Sequence, residues 1–252
     1  MDVVVVTGSS RGIGASVARM CAQRGWAVCI NSSSSTEEAE EVAVGIRNSG
    51  GQAISAIADV SSVHEVEAMF DKVKSELGPV TGLVNNAGTE GSQGRVEALD
   101  AEATKRLFEI NILGPFICTQ AAVKQMSTHF GGKGGAIVNV SSAGSRHGGA
   151  GAYVDYCASK AAMDTMTYGH AVEQADAGIR VNCVRPGTVW TEMNRRYMEK
   201  DPEYEKRIIA KTPLARAAEA DEIAHGIVWL LSDEASYTTG AILDISGGMV
   251  AP

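Results

Sequence analysis

The 252-residue sequence predicts an α/β fold: a doubly wound parallel sheet in three layers, α/β/α, within a single domain. Three observations predict it. Short runs rich in Val, Ile and Ala alternate with longer helical patterns along the chain. The strand runs are apolar at successive positions, as in Val3-Val4-Val5-Val6, which suits strands covered on both faces. Hydrophobic content is 44% with only 5% aromatic residues, so the core must be aliphatic, unlike that of an aromatic-rich β sandwich.

The elements follow in order. A strand at residues 3–6 runs into a glycine-rich turn and a helix at 13–24. A second strand at 27–31 leads through the serines 32–35 to a helix at 36–49, which Gly50-Gly51 stops. A strand at 53–56 and a helix at 63–77 come next, ended by Gly78-Pro79 before a strand at 82–85. The long pattern 102–130 reads as one helix. A glycine-rich loop precedes a strand at 135–140, and a helix at 153–177 stops at Gly178. The last elements are strands at 180–184 and 241–245 with a helix at 221–231 between them. Residues 191–213 interrupt the alternation with a polar helical insertion containing Arg195, Arg196 and Lys200. Chain that leaves the carboxyl end of such a strand lies over the ligand crevice, so 191–213 is a candidate lid, with a plain surface excursion as the alternative.

Charge and composition exclude several function classes. A net charge of -8 opposes a general nucleic-acid binder, which needs a basic surface to displace counterions. No apolar run approaches the roughly 20 residues that span a membrane, and the N-terminus lacks a signal-peptide pattern, so a cytoplasmic protein is expected. The five cysteines show no paired spacing and sit mostly in apolar contexts, which reads as buried free thiols in a reducing compartment. No His/Cys or His/carboxylate cluster has metal-ligand spacing, so no metal is expected.

The turn Thr7-Gly8-Ser9-Ser10-Arg11-Gly12-Ile13-Gly14 carries the first chemical signal. Glycines let the backbone approach a pyrophosphate, and the N–H groups at the start of the helix bind it. Placed between a valine strand and an amphipathic helix, the turn predicts a dinucleotide site at Gly8, Ser10, Arg11, Gly12, Ile13 and Gly14. The end of the next strand selects the dinucleotide. An NAD site puts an acid there for the ribose 2′-hydroxyl, whereas this chain has Asn31, Ser32 and Ser33, and the first acid after the glycine turn is Glu37. No carboxylate is expected to repel a 2′-phosphate, and Arg11 with the hydroxyls could bind one, so NADP is expected over NAD.

Tyr156-Cys157-Ala158-Ser159-Lys160 carries the second. Four residues apart on a helix, the phenol and the ammonium share one face. An adjacent ammonium should draw the tyrosine pKa down toward the range of a working acid/base. Tyr156 is the only one of six tyrosines with a lysine at that spacing. Tyr153 lies one turn earlier without such a partner. Arg146 and His147 read equally as substrate contacts or as hydrated loop, Cys157 as a small buried side chain, and Asp155 as exposed or near the helix start.

Together these segments resemble the single-domain branch of the short-chain dehydrogenases/reductases, with its TGxxxGxG cofactor motif and YxxxK active site, over essentially the full chain. The resemblance implies a Rossmann fold. It also implies that Asp59 and Val60 lie beside an adenine, that Asn86, Ala87 and Gly88 belong to the fourth-strand motif, and that Pro186, Gly187 and Thr188, with Val189 and Thr191, form the turn at the nicotinamide. By the same resemblance Asn111, Ser142, Tyr156 and Lys160 are the catalytic set, and Asn111 holds a water that links Lys160 to solvent. Ser142 precedes Tyr156 by fourteen residues, one more than the commoner family spacing, and Ser141 and Ser145 remain rivals for its role.

The expected activity is NADP-dependent interconversion of a secondary alcohol, polyol or sugar with a carbonyl compound. Tyr156 moves the proton, Lys160 supports the phenolate and the nicotinamide ribose, and Ser142 stabilises the reacting oxygen. A 3-oxoacyl thioester on an acyl carrier protein is the alternative substrate, disfavoured by the negative charge of the chain. A non-catalytic NADP sensor is the alternative from another class. The resemblance further implies a homotetramer, built on the long helices at 102–130 and 153–177.

Overall fold

Apolar residues at consecutive strand positions do fold into a sheet buried on both sides. The computed structural model describes residues 2–191 and 201–249. Seven parallel strands form one sheet in the order β3-β2-β1-β4-β5-β6-β7. They are β1 (Val3–Val6), β2 (Ala27–Ser32), β3 (Ala53–Ile57), β4 (Gly82–Asn85), β5 (Gly135–Val140), β6 (Ile179–Pro186) and β7 (Ile242–Ile245). Each predicted strand is present, with ends moved by at most two residues. Alternating side chains divide β1 between two apolar layers: Val4 and Val6 join one, Val3 and Val5 the other.

Helices cover both faces. On the Val4 side lie α1 (Gly12–Gln23) and α2 (Thr36–Asn48), and on the Val3 side α3 (Val63–Glu76). Ser62 caps α3 by accepting the Glu65 N–H, and Asp100 caps α4 (Ala101–Phe108) by accepting those of Glu102 and Ala103. The helix expected at 102–130 forms from Ala101 to Met126, with its α-helical ladder interrupted inside it. A π turn at Glu109–Leu113 separates α4 from α5 (Gly114–Met126), and a 3₁₀ turn follows at Thr128–Phe130. The cause is Pro115. It has no N–H to give to the carbonyl of Asn111, four residues back, so the α-helical ladder breaks there and the backbone widens.

The loop after β5 contains an unexpected short helix, α6 (Gly144–His147). Then come α7 (Val154–Glu173), α8 (Pro202–Ile209) and α9 (Ala220–Leu231), the last of which joins the Val4 layer. The insertion expected at 191–213 thus contributes α8, while residues 192–200, including Arg195, Arg196 and Lys200, lie outside the described residues. The carboxyl ends of β1 and β4 flank the point where strand order reverses, which opens a crevice there.

Candidate active site

The glycine turn is built as a cradle. Gly8 has φ +60°, and a Cβ on it would stand 2.8 Å from the Cα of Ala87. A larger residue would therefore both strain the turn and push away the strand-end segment facing it. Thr7 ties the two together: its Oγ accepts the N–H groups of Asn86 and Ala87, each at 3.0 Å. The Asn86 amide in turn donates to the carbonyls of Thr7 and Gly8, both at 2.9 Å. Arg11 occupies the N-cap of α1 without capping it, and the first turn holds no acid. That helix end presents N–H donors and no competing carboxylate of its own, which fits a pyrophosphate.

A cleft of about 750 Å³ runs from this cradle to Tyr156. It gathers Gly8, Ser10, Arg11, Gly12, Ile13, Asn31, Ser32, Ser33, Asp59, Val60, Asn86, Ala87, Gly88, Ser142, Tyr156, Lys160, Pro186, Gly187, Val189 and Thr191. Three expected residues do not line it. Gly14 serves close packing, since a Cβ there would lie 2.6 Å from the Asn86 amide nitrogen. The Thr188 carbonyl accepts the Ala218 N–H at 2.9 Å. Asn111 is fully buried behind the cleft.

Several side chains are held by the protein itself. The Asn31 carbonyl oxygen accepts the Gly8 N–H at 3.1 Å, and its amide donates to Ala58 at 3.0 Å and to Ala56 at 3.3 Å. Asn111 accepts the Thr89 N–H and donates to the Thr89 carbonyl, both at 2.9 Å, and also donates to Ser159 at 3.1 Å. That fixes the chain just past Gly88, where a Cβ would come within 3.5 Å of the Lys160 Nζ. Asp59 accepts both the N–H and the hydroxyl of Ser61 and pairs with Arg106. Burial would raise the Asp59 carboxyl, but these hydrogen bonds outweigh it and hold it below the usual range.

Tyr156 and Lys160 share one face of α7, with the ammonium 5.7 Å from the ring centre. Their electrostatics differ from the expectation. Burial drives the phenol well above its ordinary value, opposed by a hydrogen bond with Ser142 and reinforced by the charge of Glu90. Burial likewise pushes Lys160 down to about 8, and its Nζ donates to the Val140 carbonyl at 2.9 Å. Desolvation outweighs the mutual influence that spacing alone suggested.

Among the three serines, geometry separates the roles. Ser141 is buried and donates to the Lys160 carbonyl at 2.9 Å. The Ser145 hydroxyl is buried without a partner. Ser142 shares the cleft with Tyr156, where its hydroxyl opposes the rise of the phenol pKa, and it accepts the Gly144 N–H at 3.0 Å. Between Ser142 and Tyr156 the chain forms α6 and a run of glycines. Gly149 has φ +61° and packs so closely on Tyr153 and Cys157 that a Cβ would approach both within 3 Å.

Glu90, Thr89, Gly91, Ile110 and Arg106 also border the cleft and were not foreseen. Glu90 lies two residues beyond Gly88, in the segment leaving a strand end, and that position is a readable signal. Arg106 lies 47 residues from Asp59 in sequence and offers none. Asp155, expected to be exposed or near the helix start, lies in the first turn of α7 but is buried, accepting the Thr104 hydroxyl at 3.2 Å. The expectation that no carboxylate stands near a 2′-phosphate also needs correction. Glu38 of α2 lies 3.8 Å from the Arg11 guanidinium and accepts the Ser10 hydroxyl at 3.3 Å.

A family model described as enoyl-(acyl carrier protein) reductase, of the short-chain dehydrogenase/reductase type, matches residues 8–250. The chain belongs to the short-chain dehydrogenase/reductase family. It is 47% identical to the uncharacterized oxidoreductase YgfF of Escherichia coli (strain K12), covering 98% of this chain and 100% of that one. It is 34% identical to glucose 1-dehydrogenase 2 of Bacillus subtilis (strain 168), covering 97% and 93%. A Serratia marcescens short-chain dehydrogenase/reductase, solved as a doubly substituted mutant, superposes with a TM-score of 0.91 at 32% identity, covering 99% and 98%. The parallel sheet is therefore the Rossmann-like sheet of this oxidoreductase family. Among the described residues no helix is long and apolar enough to cross a membrane.

Proposed function

We propose that the protein is an NADPH-dependent oxidoreductase that interconverts a secondary alcohol, polyol or sugar with its carbonyl form. One observation carries this reading: the Tyr156 hydroxyl, the Ser142 hydroxyl and the buried Lys160 ammonium meet in the cleft that also contains the glycine turn. The donor set fits a dinucleotide, with α1 and the turn for the pyrophosphate, Asp59 and Val60 for the adenine, and Asn86–Gly88 with the residues at 186–191 for the nicotinamide. When bound, the nicotinamide supplies or accepts the hydride.

Tyr156 donates the proton to the carbonyl oxygen in reduction and removes it in oxidation. Ser142 has one lone pair engaged by Gly144, so its proton is directed to Tyr156 or the substrate oxygen, where negative charge develops. Lys160 holds ribose hydroxyls and favours the phenolate. Asn111 fixes the Thr89 backbone, and the family resemblance adds the water that relays protons to Lys160. Arg11 and the serines at 32–35, where an NAD site would carry an acid, support NADPH.

The name of the glucose 1-dehydrogenase relative supports a small hydroxylated substrate. The family model's description supports a carrier-protein thioester, whereas a net charge of -8 opposes docking of an acidic carrier. Exposed Phe108, Leu113 and Phe116 beside exposed Tyr168 and Val172 support a homotetramer, tested by light scattering. Five buried free thiols support a cytoplasmic location. We read the chain as one domain.

The deciding experiment follows NADPH and NADH oxidation with ketones, aldehydes, sugars and 3-oxoacyl thioesters, using Tyr156→Phe as control. Carbonyl-dependent NADPH oxidation that the substitution abolishes is expected. Binding of NADPH without turnover of any carbonyl class would favour the sensor and overturn the enzyme assignment.

A further inference from the structure

The Ser10 and Arg11 side chains line the cleft beside Ser32, Ser33, Ser34 and Ser35. They offer a hydroxyl and a guanidinium, the groups that recognise a phosphate on the 2′-oxygen of a ribose. One carboxylate oxygen already engages both. The Glu38 Oε2 accepts the Ser10 hydroxyl at 3.3 Å and lies 3.8 Å from Arg11 Nη1. Glu38 reaches back from the first turn of α2, which follows directly on the serine run. A hydroxyl gives its single proton to one acceptor at a time. Two anions gathered at one guanidinium also repel each other.

We propose that Glu38 is an internal competitor for the 2′-phosphate and a specificity-determining residue that sets how strongly the cleft prefers NADPH over NADH. The proposal rests on the NADPH assignment above and names the residue that limits it. A dinucleotide with a free 2′-hydroxyl enters without disturbing the Ser10–Glu38–Arg11 contacts. One with a 2′-phosphate must displace the carboxylate from Ser10 and share or take Arg11. The side chains are half exposed, 56% for Arg11 and 47% for Glu38, so solvent screens the pair and the effect is a bias rather than an exclusion.

The test measures Kd and KM for NADPH and for NADH in the wild type, Glu38→Gln, Arg11→Ala and the double variant. Glu38→Gln should tighten NADPH by about three- to tenfold and leave NADH within about twofold, a range set by exposed charge pairs. Arg11→Ala should weaken NADPH, and in that background Glu38→Gln should gain much less. Raising the salt concentration should shrink the advantage of Glu38→Gln for NADPH. Suppose Arg11→Ala weakens NADPH but Glu38→Gln leaves it unchanged. Glu38 then does not compete, and the NADPH assignment stands without this inference. If Glu38→Gln weakens NADPH, the carboxylate orients Arg11 for the phosphate and the proposal is overturned. If neither substitution changes NADPH relative to NADH, the inference fails, and if the wild type binds NADPH no more tightly than NADH, the NADPH assignment fails and the inference with it. Both side chains project from the surface, so thermal melts of the variants should match the wild type.

Discussion

Replacing Lys160 with methionine should abolish turnover and make the protein without bound dinucleotide more stable. Lys160 is 4% exposed, and burial lowers its pKa from 10.5 to about 8. At about 1.4 kcal/mol per pH unit, that fall corresponds to about 3 kcal/mol lost by folding with the ammonium charged. Methionine fills similar space without charge but leaves the Val140 carbonyl unpartnered, which costs about 1–2 kcal/mol. The net gain is about 1–2 kcal/mol, or a Tm about 2–8 °C higher for a chain of this size. The sign with pH follows from the direction of the shift. Below about pH 8 folded Lys160 carries its charge and the wild type bears the full penalty. Between that value and 10.5 the folded form releases the proton while the unfolded form keeps it, so wild-type stability recovers. Melts of the two proteins at a series of pH values therefore test both statements. The Tm advantage of Lys160→Met should be largest near neutrality and reverse in alkali, where the neutral amine carries no charge penalty and still donates to Val140. A variant that melts below the wild type at pH 7, or an advantage that does not change with pH, would refute the argument that burial controls this lysine.

Asp164→Ala should lower stability by about 3 kcal/mol in thermal melts, the low end for a broken buried pair, because Arg185 loses its two short bonds at 2.8 and 3.0 Å and keeps only Asp244 at 3.6 Å. Ser142→Ala should reduce kcat by about 10²–10³ while Ser145→Ala leaves kcat unchanged and the melt equal or higher, since the Ser145 hydroxyl is buried without a partner. Equal loss of kcat in the two variants would return the active serine to the open choice the sequence left. Glu90→Gln should move the ascending limb of the oxidation rate, where Tyr156 ionises, to lower pH, because it removes a charge that raises the Tyr156 pKa; an unmoved or raised limb in the pH–rate profile would refute it.

What the sequence revealed and what it concealed divide by range. The Tyr156–Lys160 pair is visible because four residues on a helix is a local distance, and the glycine turn is visible because its purpose is a local backbone shape. The seven strands are visible because each is a short apolar run between stops. Glu38 was hidden because it meets Ser10 across 28 residues, and Arg106 because it meets Asp59 across 47. The π turn at Asn111 was legible in principle, for Pro115 stands four residues beyond it. Expecting one helix from 102 to 130 gave periodicity more weight than the missing N–H. The Tyr156 pKa went the other way from the expectation because local spacing names the neighbouring charge, whereas desolvation depends on the whole fold.

Burial has opposite consequences for the two directions of the reaction proposed above, with Tyr156 as its acid and base. Reduction of a carbonyl needs a protonated phenol, and desolvation keeps Tyr156 protonated throughout the neutral range. Oxidation of an alcohol needs the phenolate, which the same desolvation opposes and only Ser142 and added positive charge favour. A Lys160 pKa of about 8 means that the ammonium able to favour phenolate is itself lost as the pH rises. Before a dinucleotide binds, the alkaline conditions that would ionise Tyr156 thus remove its cationic partner first. The charge balance of this chain therefore supports proton donation at neutral pH, and proton abstraction must rely on charge brought in with the bound dinucleotide.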